Sequence, residues 1–141
     1  MLEQIFQINQ QRIFNLDQAH DLLAVIQKIT FDAHLQVKKL STQLQSFGSL
    51  QTPHCKALQA EIDSTVTRWE SKVKRLGATP KGLWLVDFDN GMGYYCWKFP
   101  EERIQFWHGY QDGYTKRVLI SQQEDTNSDE NCGKPNQPDF R

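Results

Sequence analysis

The amino-acid sequence predicts an α+β fold, in which a long antiparallel helical hairpin precedes a three-stranded antiparallel β-meander. Three observations support this prediction. Apolar residues recur every seven positions in the first half of the chain, they alternate with polar residues after Pro80, and an Asn-Gly pair separates two alternating segments. The 141 residues suit one domain. We expect that domain to cover residues 1–120, and the polar, acidic residues 121–141 to form a disordered tail.

The first helix is predicted over residues 16–47. Asn15 can cap it, because Gln18 three residues later completes a capping box, and Gly48 supplies the stop. Two apolar series with seven-residue spacing give this helix a seam like that of a coiled coil. The two series are Ala19, Ile26, Ala33, Leu40 and Phe47, and Leu23, Thr30, Val37 and Leu44.

The second helix is predicted over residues 53–76. Thr52 followed by Pro53 is typical of a capped first turn, and Gly77 ends the helix. Because the connection between the two helices is short, we expect them to fold back on each other as an antiparallel hairpin. The apolar seam of the second helix is formed by Cys55, Ile62, Val66, Trp69, Val73 and Leu76.

The sheet is predicted over residues 83–108. Asn90-Gly91 is assigned as the two-residue loop of the first hairpin and Glu101-Glu102 as that of the second. These registers place nine mostly apolar side chains on one face, which should pack on the helical hairpin. That face consists of Trp84, Val86, Phe88, Tyr95, Trp97, Phe99, Ile104, Phe106 and His108.

The second face of the predicted sheet is mixed in character. It carries Asp87, Cys96 and Trp107, among others, and it is too apolar to be left bare. We expect residues 109–120 to cover part of it. In this register Cys96 and His108 lie on opposite faces, which makes them weak metal ligands, so we predict neither a metal site nor a cofactor.

Composition excludes several classes of protein. The net charge of −1 favours neither nucleic acid nor an anionic membrane, and we interpret the basic runs at Lys38-Lys39 and Lys72–Arg75 as solvated helix faces. The sequence has no apolar stretch of the roughly 20 residues that span a bilayer and no signal-peptide pattern. Three widely spaced cysteines favour a reduced, cytoplasmic protein.

A group of polar residues near the predicted second face is the one candidate site. We expect Arg117 to pair with the carboxylate of Asp87, with Glu101 as the second choice. Such a group can be a structural ion-pair cluster or a ligand clamp, and the sequence contains no recognisable catalytic motif. The candidate residues are Asp87, Glu101, Trp107, His108, Asp112 and Arg117.

Several short motifs in a fixed order resemble a bacterial family known only as domain of unknown function family 2203. The likeness covers most of residues 14–120. Pro100 and Lys116 depart from it, since that family has glycine at both positions. The resemblance implies a fold and a set of residues, but no activity. The residues that carry it are Val86-Asp87-Phe88, Gly91, Cys96-Trp97-Lys98, Glu101, Phe106-Trp107-His108, Asp112-Gly113-Tyr114 and Arg117.

Two functions are compatible with these patterns. The first is a non-catalytic binding or assembly module, which uses the helical hairpin to bind a second copy or a helical partner. It is suggested by the greater length of the first helix, which leaves part of its apolar seam uncovered. The alternative is a small enzyme, or a metal- or small-molecule-binding protein, that uses the region from Asp87 to Arg117.

Overall fold

The computed structural model describes residues 12–49 and 51–121, and shows a helical hairpin followed by an antiparallel sheet. The expected disordered tail lies, apart from its first residue, outside the described residues. A short 3₁₀ helix, Tyr114–Lys116, precedes the last strand. The helices are α1 (Leu16–Gln45) and α2 (Pro53–Arg75), and the strands are β1 (Thr79–Gly82), β2 (Leu85–Asp89), β3 (Gly93–Lys98), β4 (Phe106–Gly109) and β5 (Val118–Leu119).

Both helices begin at the residues that the capping patterns in the sequence predicted. The Gln18 amide donates to Asn15 Oδ1 over 2.8 Å and the Asn15 amide donates to Gln18 Oε1 over 2.9 Å, which is a complete capping box. Thr52 Oγ1 accepts from the Cys55 amide at the start of α2. The first helix ends at Gln45, two residues before the predicted end, because the next three amides form the shorter i→i−3 bonds of a tightened last turn.

The predicted seam forms the contact between the helices and extends towards the sheet. Ala19, Leu23, Ile26 and Trp69 are buried, and all four belong to the hydrophobic core that includes the inner sheet residues. Thr30 interrupts the apolar seam, but its Oγ1 accepts a hydrogen bond of 2.8 Å from Trp69 Nε1. The hydroxyl and the indole N–H therefore each have a hydrogen-bond partner in a region that water does not reach.

The sheet has five strands in the order β1-β2-β3-β4-β5, and not the three that the sequence predicted. The two additional strands are its edges. β1 has the sequence Thr-Pro-Lys-Gly and β5 has only two residues, so neither offers the apolar alternation by which a strand is recognised. Trp84, with φ of 63°, separates β1 from β2 and so lies outside the strand to which the prediction assigned it.

The first hairpin differs from its predicted register by two residues. Phe88 pairs with Tyr95 and Val86 with Trp97, whereas the prediction paired Val86 with Tyr95. The loop is longer than predicted because Asn90 Oδ1 accepts from the amides of both Met92 and Gly93. An even shift leaves every side chain on its predicted face.

The second hairpin is displaced by one residue, which turns β4 over. Cys96 pairs with Phe106 and Tyr94 with His108, so the predicted pairing of Trp97 with Phe106 is wrong. The connection between β3 and β4 has seven residues and not two, and contacts from outside the hairpin hold it. Trp97 Nε1 donates to the Glu101 carbonyl over 2.7 Å, and Gln27 Nε2 of α1 donates to the Glu102 carbonyl over 2.9 Å.

This displacement exchanges residues between the two faces. Phe106 and His108 join Asp87 and Cys96 on the outer face, whereas Trp107 turns to the inner face and packs against the core. The inner face is otherwise as predicted, with Val86, Phe88 and Trp97 fully buried among the core residues.

Candidate metal centre

Three side chains with metal-ligating atoms meet on the outer face of the central strands. Asp87 of β2 is the direct cross-strand neighbour of Cys96 of β3, and His108 of β4 lies beside them. Their nearest ligand atoms all lie within 4.8 Å of one another. The three residues are 1%, 0% and 4% exposed, so this cluster is as deeply buried as the hydrophobic core. The expectation that Cys96 and His108 lie on opposite faces is thus wrong.

The orientation of the His108 ring is fixed by its backbone contact. Nδ1 lies 3.0 Å from the carbonyl oxygen of Gly109, which can only accept, so Nδ1 donates its proton there. Nε2 is thereby directed at Oδ2 of Asp87, at 3.1 Å. Metal-binding histidines commonly have one ring nitrogen held by a backbone carbonyl in this way, which leaves the other nitrogen for the ion.

One carboxylate oxygen of Asp87 has no hydrogen-bond partner. Oδ2 contacts His108, but Oδ1 is buried and bonds to nothing among residues 12–49 and 51–121. Burial raises the pKa of Asp87, and the nearby His108 and Cys96 oppose this only in part. A buried carboxylate oxygen without a partner costs free energy, which a bound cation would recover.

Cys96 does not have the surroundings of a catalytic nucleophile. Burial, and then the charge of Asp87, raise its pKa to about 12, although Arg117 acts in the opposite direction. A nucleophilic cysteine requires a lowered pKa. A bound metal ion would remove this difficulty, because a coordinating thiol loses its proton to the ion.

The three side chains suit a zinc-like ion in distance and in charge. Ligand atoms at most 4.8 Å apart can all lie within about 2.8 Å of one point, and zinc binds such atoms at about 2.0–2.3 Å. Small side-chain rotations therefore suffice. A divalent ion with one thiolate and one carboxylate has no net charge, which suits a buried position. Asp87 Oδ1 can supply a fourth donor atom.

Arg117 does not pair with Asp87, so the first choice of partner was wrong. It forms a two-pronged ion pair with Glu101, the second choice, with Nη1–Oε1 at 3.1 Å and Nη2–Oε2 at 2.6 Å. Asp87 is already occupied by His108. The guanidinium stacks between the rings of Phe106, at 4.0 Å, and Tyr114, at 4.4 Å. Burial would lower the pKa of Arg117, but Glu101 raises it.

Comparison with known proteins identifies the family. The model of the uncharacterized conserved protein family DUF2203 matches residues 12–120. The chain belongs to this family. No curated protein and no solved structure matches it. In this DUF2203 protein neither described helix is long and apolar enough to cross a membrane.

The structure divides the predicted polar group of this DUF2203 protein into two linked pairs. Asp87 and His108 form a buried pair, and Glu101 and Arg117 form a partly exposed one. Cys96 is the cross-strand neighbour of Asp87 on one side and of Phe106 on the other, and the Arg117 guanidinium lies over the Phe106 ring. The other two candidates, Trp107 and Asp112, belong to neither pair: the first faces the core and the second lies on an exposed turn.

One contributor to the site was missed by sequence reasoning, the carbonyl of Gly109. It accepts from His108 Nδ1 and also from the Asp112 amide over 3.0 Å, so the turn after β4 orients the histidine ring. The sequence offered one relevant signal, the glycine directly after His108. A Cβ there would lie 3.2 Å from Asp112 Oδ2, a tight contact that the exposed Asp112 side chain would have to move to relieve.

Proposed function

We propose that this DUF2203 protein binds a divalent transition-metal ion, with Asp87, Cys96 and His108 as ligands. One observation supports the proposal most strongly: three different ligand side chains converge within 4.8 Å in the interior, around a carboxylate oxygen that has no partner among the described residues. An ordinary structural cluster would satisfy that oxygen. A metal ion supplies the missing partner.

The donor atoms favour zinc over harder ions. Magnesium and calcium prefer oxygen ligands only, whereas a thiolate together with an imidazole selects zinc and similar ions. The ligand side chains are at most 4% exposed, so a substrate would have little access to the ion. The ion therefore acts by holding β2, β3 and β4 together on their outer face, as structural zinc does.

The test uses the purified full-length protein and two matched cysteine variants. Elemental analysis should find one equivalent of metal after zinc loading and desalting of the wild type, and zinc should raise its melting temperature. Cys96→Ala should lose both effects. Cys55→Ala should keep both, because Cys55 is an equally buried thiol in the helical hairpin. Equal zinc binding by Cys96→Ala and the wild type would falsify the assignment.

A second candidate function, assembly through α1, is supported by a different observation. Phe31 and Leu35, one helical turn apart, are 49% and 52% exposed, and neighbouring apolar side chains that are both exposed mark interaction surfaces. We propose that this face binds a second copy of the chain. Light scattering with sedimentation should then report a dimer, and Leu35→Glu should give a monomer. A wild-type monomer at high micromolar concentration would contradict this.

The location proposed for the protein is the reducing cytoplasm. Cys55 and Cys96 carry free thiols, and a zinc-binding thiol must stay reduced. Titration of thiols in protein isolated under non-reducing conditions and then denatured should find all of them free. A disulfide at Cys96 would contradict both the location and the metal site.

A further inference from the structure

We propose that Arg117 is a positioning residue of the metal centre, which donates a hydrogen bond to the metal-bound sulfur of Cys96 and closes the outer side of the site. This inference rests on the proposed metal-binding function. It assigns to Arg117 a role beyond the ion pair with Glu101.

The position of the guanidinium is the first argument. It lies 4.0 Å over the ring of Phe106, and Phe106 is the direct cross-strand neighbour of Cys96 on the outer face. Its ion-pair partner Glu101 is in turn bonded to the Lys98 amide, two residues after Cys96 on β3. Arg117 therefore spans from β4 to the end of β3, across the position of the Cys96 side chain.

The unused donors of Arg117 are the second argument. Glu101 and the Tyr114 hydroxyl accept from three of the five N–H groups of the guanidinium, at 2.6–3.5 Å. At least one N–H group remains for a sulfur acceptor.

The chemistry of a buried thiolate gives the third argument. Outer hydrogen bonds to metal ligands orient them, and their loss typically lowers metal affinity by about 10- to 100-fold. A hydrogen bond to sulfur also withdraws electron density from the thiolate. It therefore changes the energy of the charge-transfer absorption between sulfur and a bound Co²⁺ ion.

The test compares two variants that break the same ion pair. Co²⁺ is titrated into the full-length wild type, Arg117→Gln and Glu101→Gln, and affinity and the sulfur-to-cobalt absorption are recorded. We expect Arg117→Gln to lose about 10- to 100-fold in affinity and to shift the absorption. Glu101→Gln should lose less affinity and shift the absorption less, because the rings of Phe106 and Tyr114 still hold the guanidinium after one of its anchors is removed.

Three results would overturn the inference. Wild-type affinity and absorption in Arg117→Gln would show that Arg117 does not act on the sulfur. Equal losses in the two variants would show that only the ion pair matters. The absence of Co²⁺ binding by the wild type would overturn the metal function as well, so the two failures are distinguishable.

A measurement on the wild type covers the case in which Arg117→Gln does not fold. The guanidinium N–H signals of Arg117 are followed by NMR during addition of Zn²⁺. They should shift until one equivalent has been added, since the donor then faces a thiolate in place of a thiol. Signals that do not respond to zinc would overturn the inference.

Discussion

The centres of the two sheet faces are buried to the same degree by opposite chemistry. On the inner face Val86, Phe88 and Trp97 are 0% exposed, and their burial against the helices is itself the stabilising interaction. On the outer face Cys96 is 0% and Asp87 1% exposed, although burial raises the pKa of both. Equal burial therefore does not mean an equal role.

The two faces differ in the buried polar groups that they leave without a hydrogen-bond partner. The apolar side chains of the inner face gain free energy from contact alone, and the buried group without a partner that the described residues show there is the neutral indole N–H of Trp107. The outer face contains a carboxylate oxygen with no partner in the part of the chain that the structure describes, so folding incurs a cost there. A metal ion would offset that cost, which is why this face, and not the larger apolar one, indicates function.

The largest expected effect concerns the inner face. Phe88→Ala should lower the free energy of unfolding by about 3–5 kcal/mol, the usual cost of removing a buried phenyl ring. Phe88 is 0% exposed and contacts the ring of Phe14 edge to face. Urea unfolding with and without zinc should give the same loss. A loss that depends on zinc would mean that the two faces are not separate.

Zinc should stabilise the protein through the outer face alone. A thousandfold excess of ligand over its dissociation constant adds about 4.1 kcal/mol to the stability of a protein that binds it only when folded. We expect a gain of this order in the wild type and none in His108→Ala, since the imidazole supplies one of three ligands. Thermal unfolding with zinc or a chelator measures it. A full zinc response in His108→Ala would refute the ligand assignment.

Metal affinity should rise with pH. Because burial raises the pKa of Cys96 to about 12, its thiol is protonated at neutral pH, and the ion must displace that proton. The raised pKa of Asp87 acts in the same direction. Each proton released makes the affinity rise about tenfold per pH unit below the pKa concerned. Calorimetry in buffers of different ionisation enthalpy counts the protons. An affinity that does not depend on pH would contradict this account.

The smallest expected effect concerns the Glu101–Arg117 pair. These side chains are 22% and 13% exposed, so their coupling should lie between that of surface pairs and that of buried pairs, at about 1 kcal/mol. A double-mutant cycle of Glu101→Gln and Arg117→Gln in metal-free protein measures it. A coupling energy of zero would show that the two-pronged geometry contributes nothing to stability.

The sequence was most informative where local chemistry determines the structure. The starts of both helices followed from Asn15 with Gln18 and from Thr52, because caps are satisfied by residues a few positions away. The faces of β2 and β3 were also predicted correctly, although their register was not, since a two-residue shift preserves alternation.

Sequence reasoning failed where contacts from distant segments decide the structure. The loop before β4 is longer than predicted because Trp97 of β3 and Gln27 of α1 donate hydrogen bonds to its carbonyl groups. No local sequence pattern reveals these two contacts. An error of one residue there moved His108 to the wrong face and concealed its proximity to Asp87 and Cys96. The predicted partner of Arg117 was wrong for a similar reason, because Asp87 is hydrogen-bonded to His108 of a distant strand.

X-ray absorption of the zinc-loaded protein tests the central claim most directly, because it reports the ligand atoms themselves. We expect one sulfur atom at about 2.3 Å, from Cys96, and two or three nitrogen or oxygen atoms at about 2.0–2.2 Å, from His108 and Asp87. A shell of nitrogen and oxygen alone, or one with two or more sulfur atoms, would contradict it.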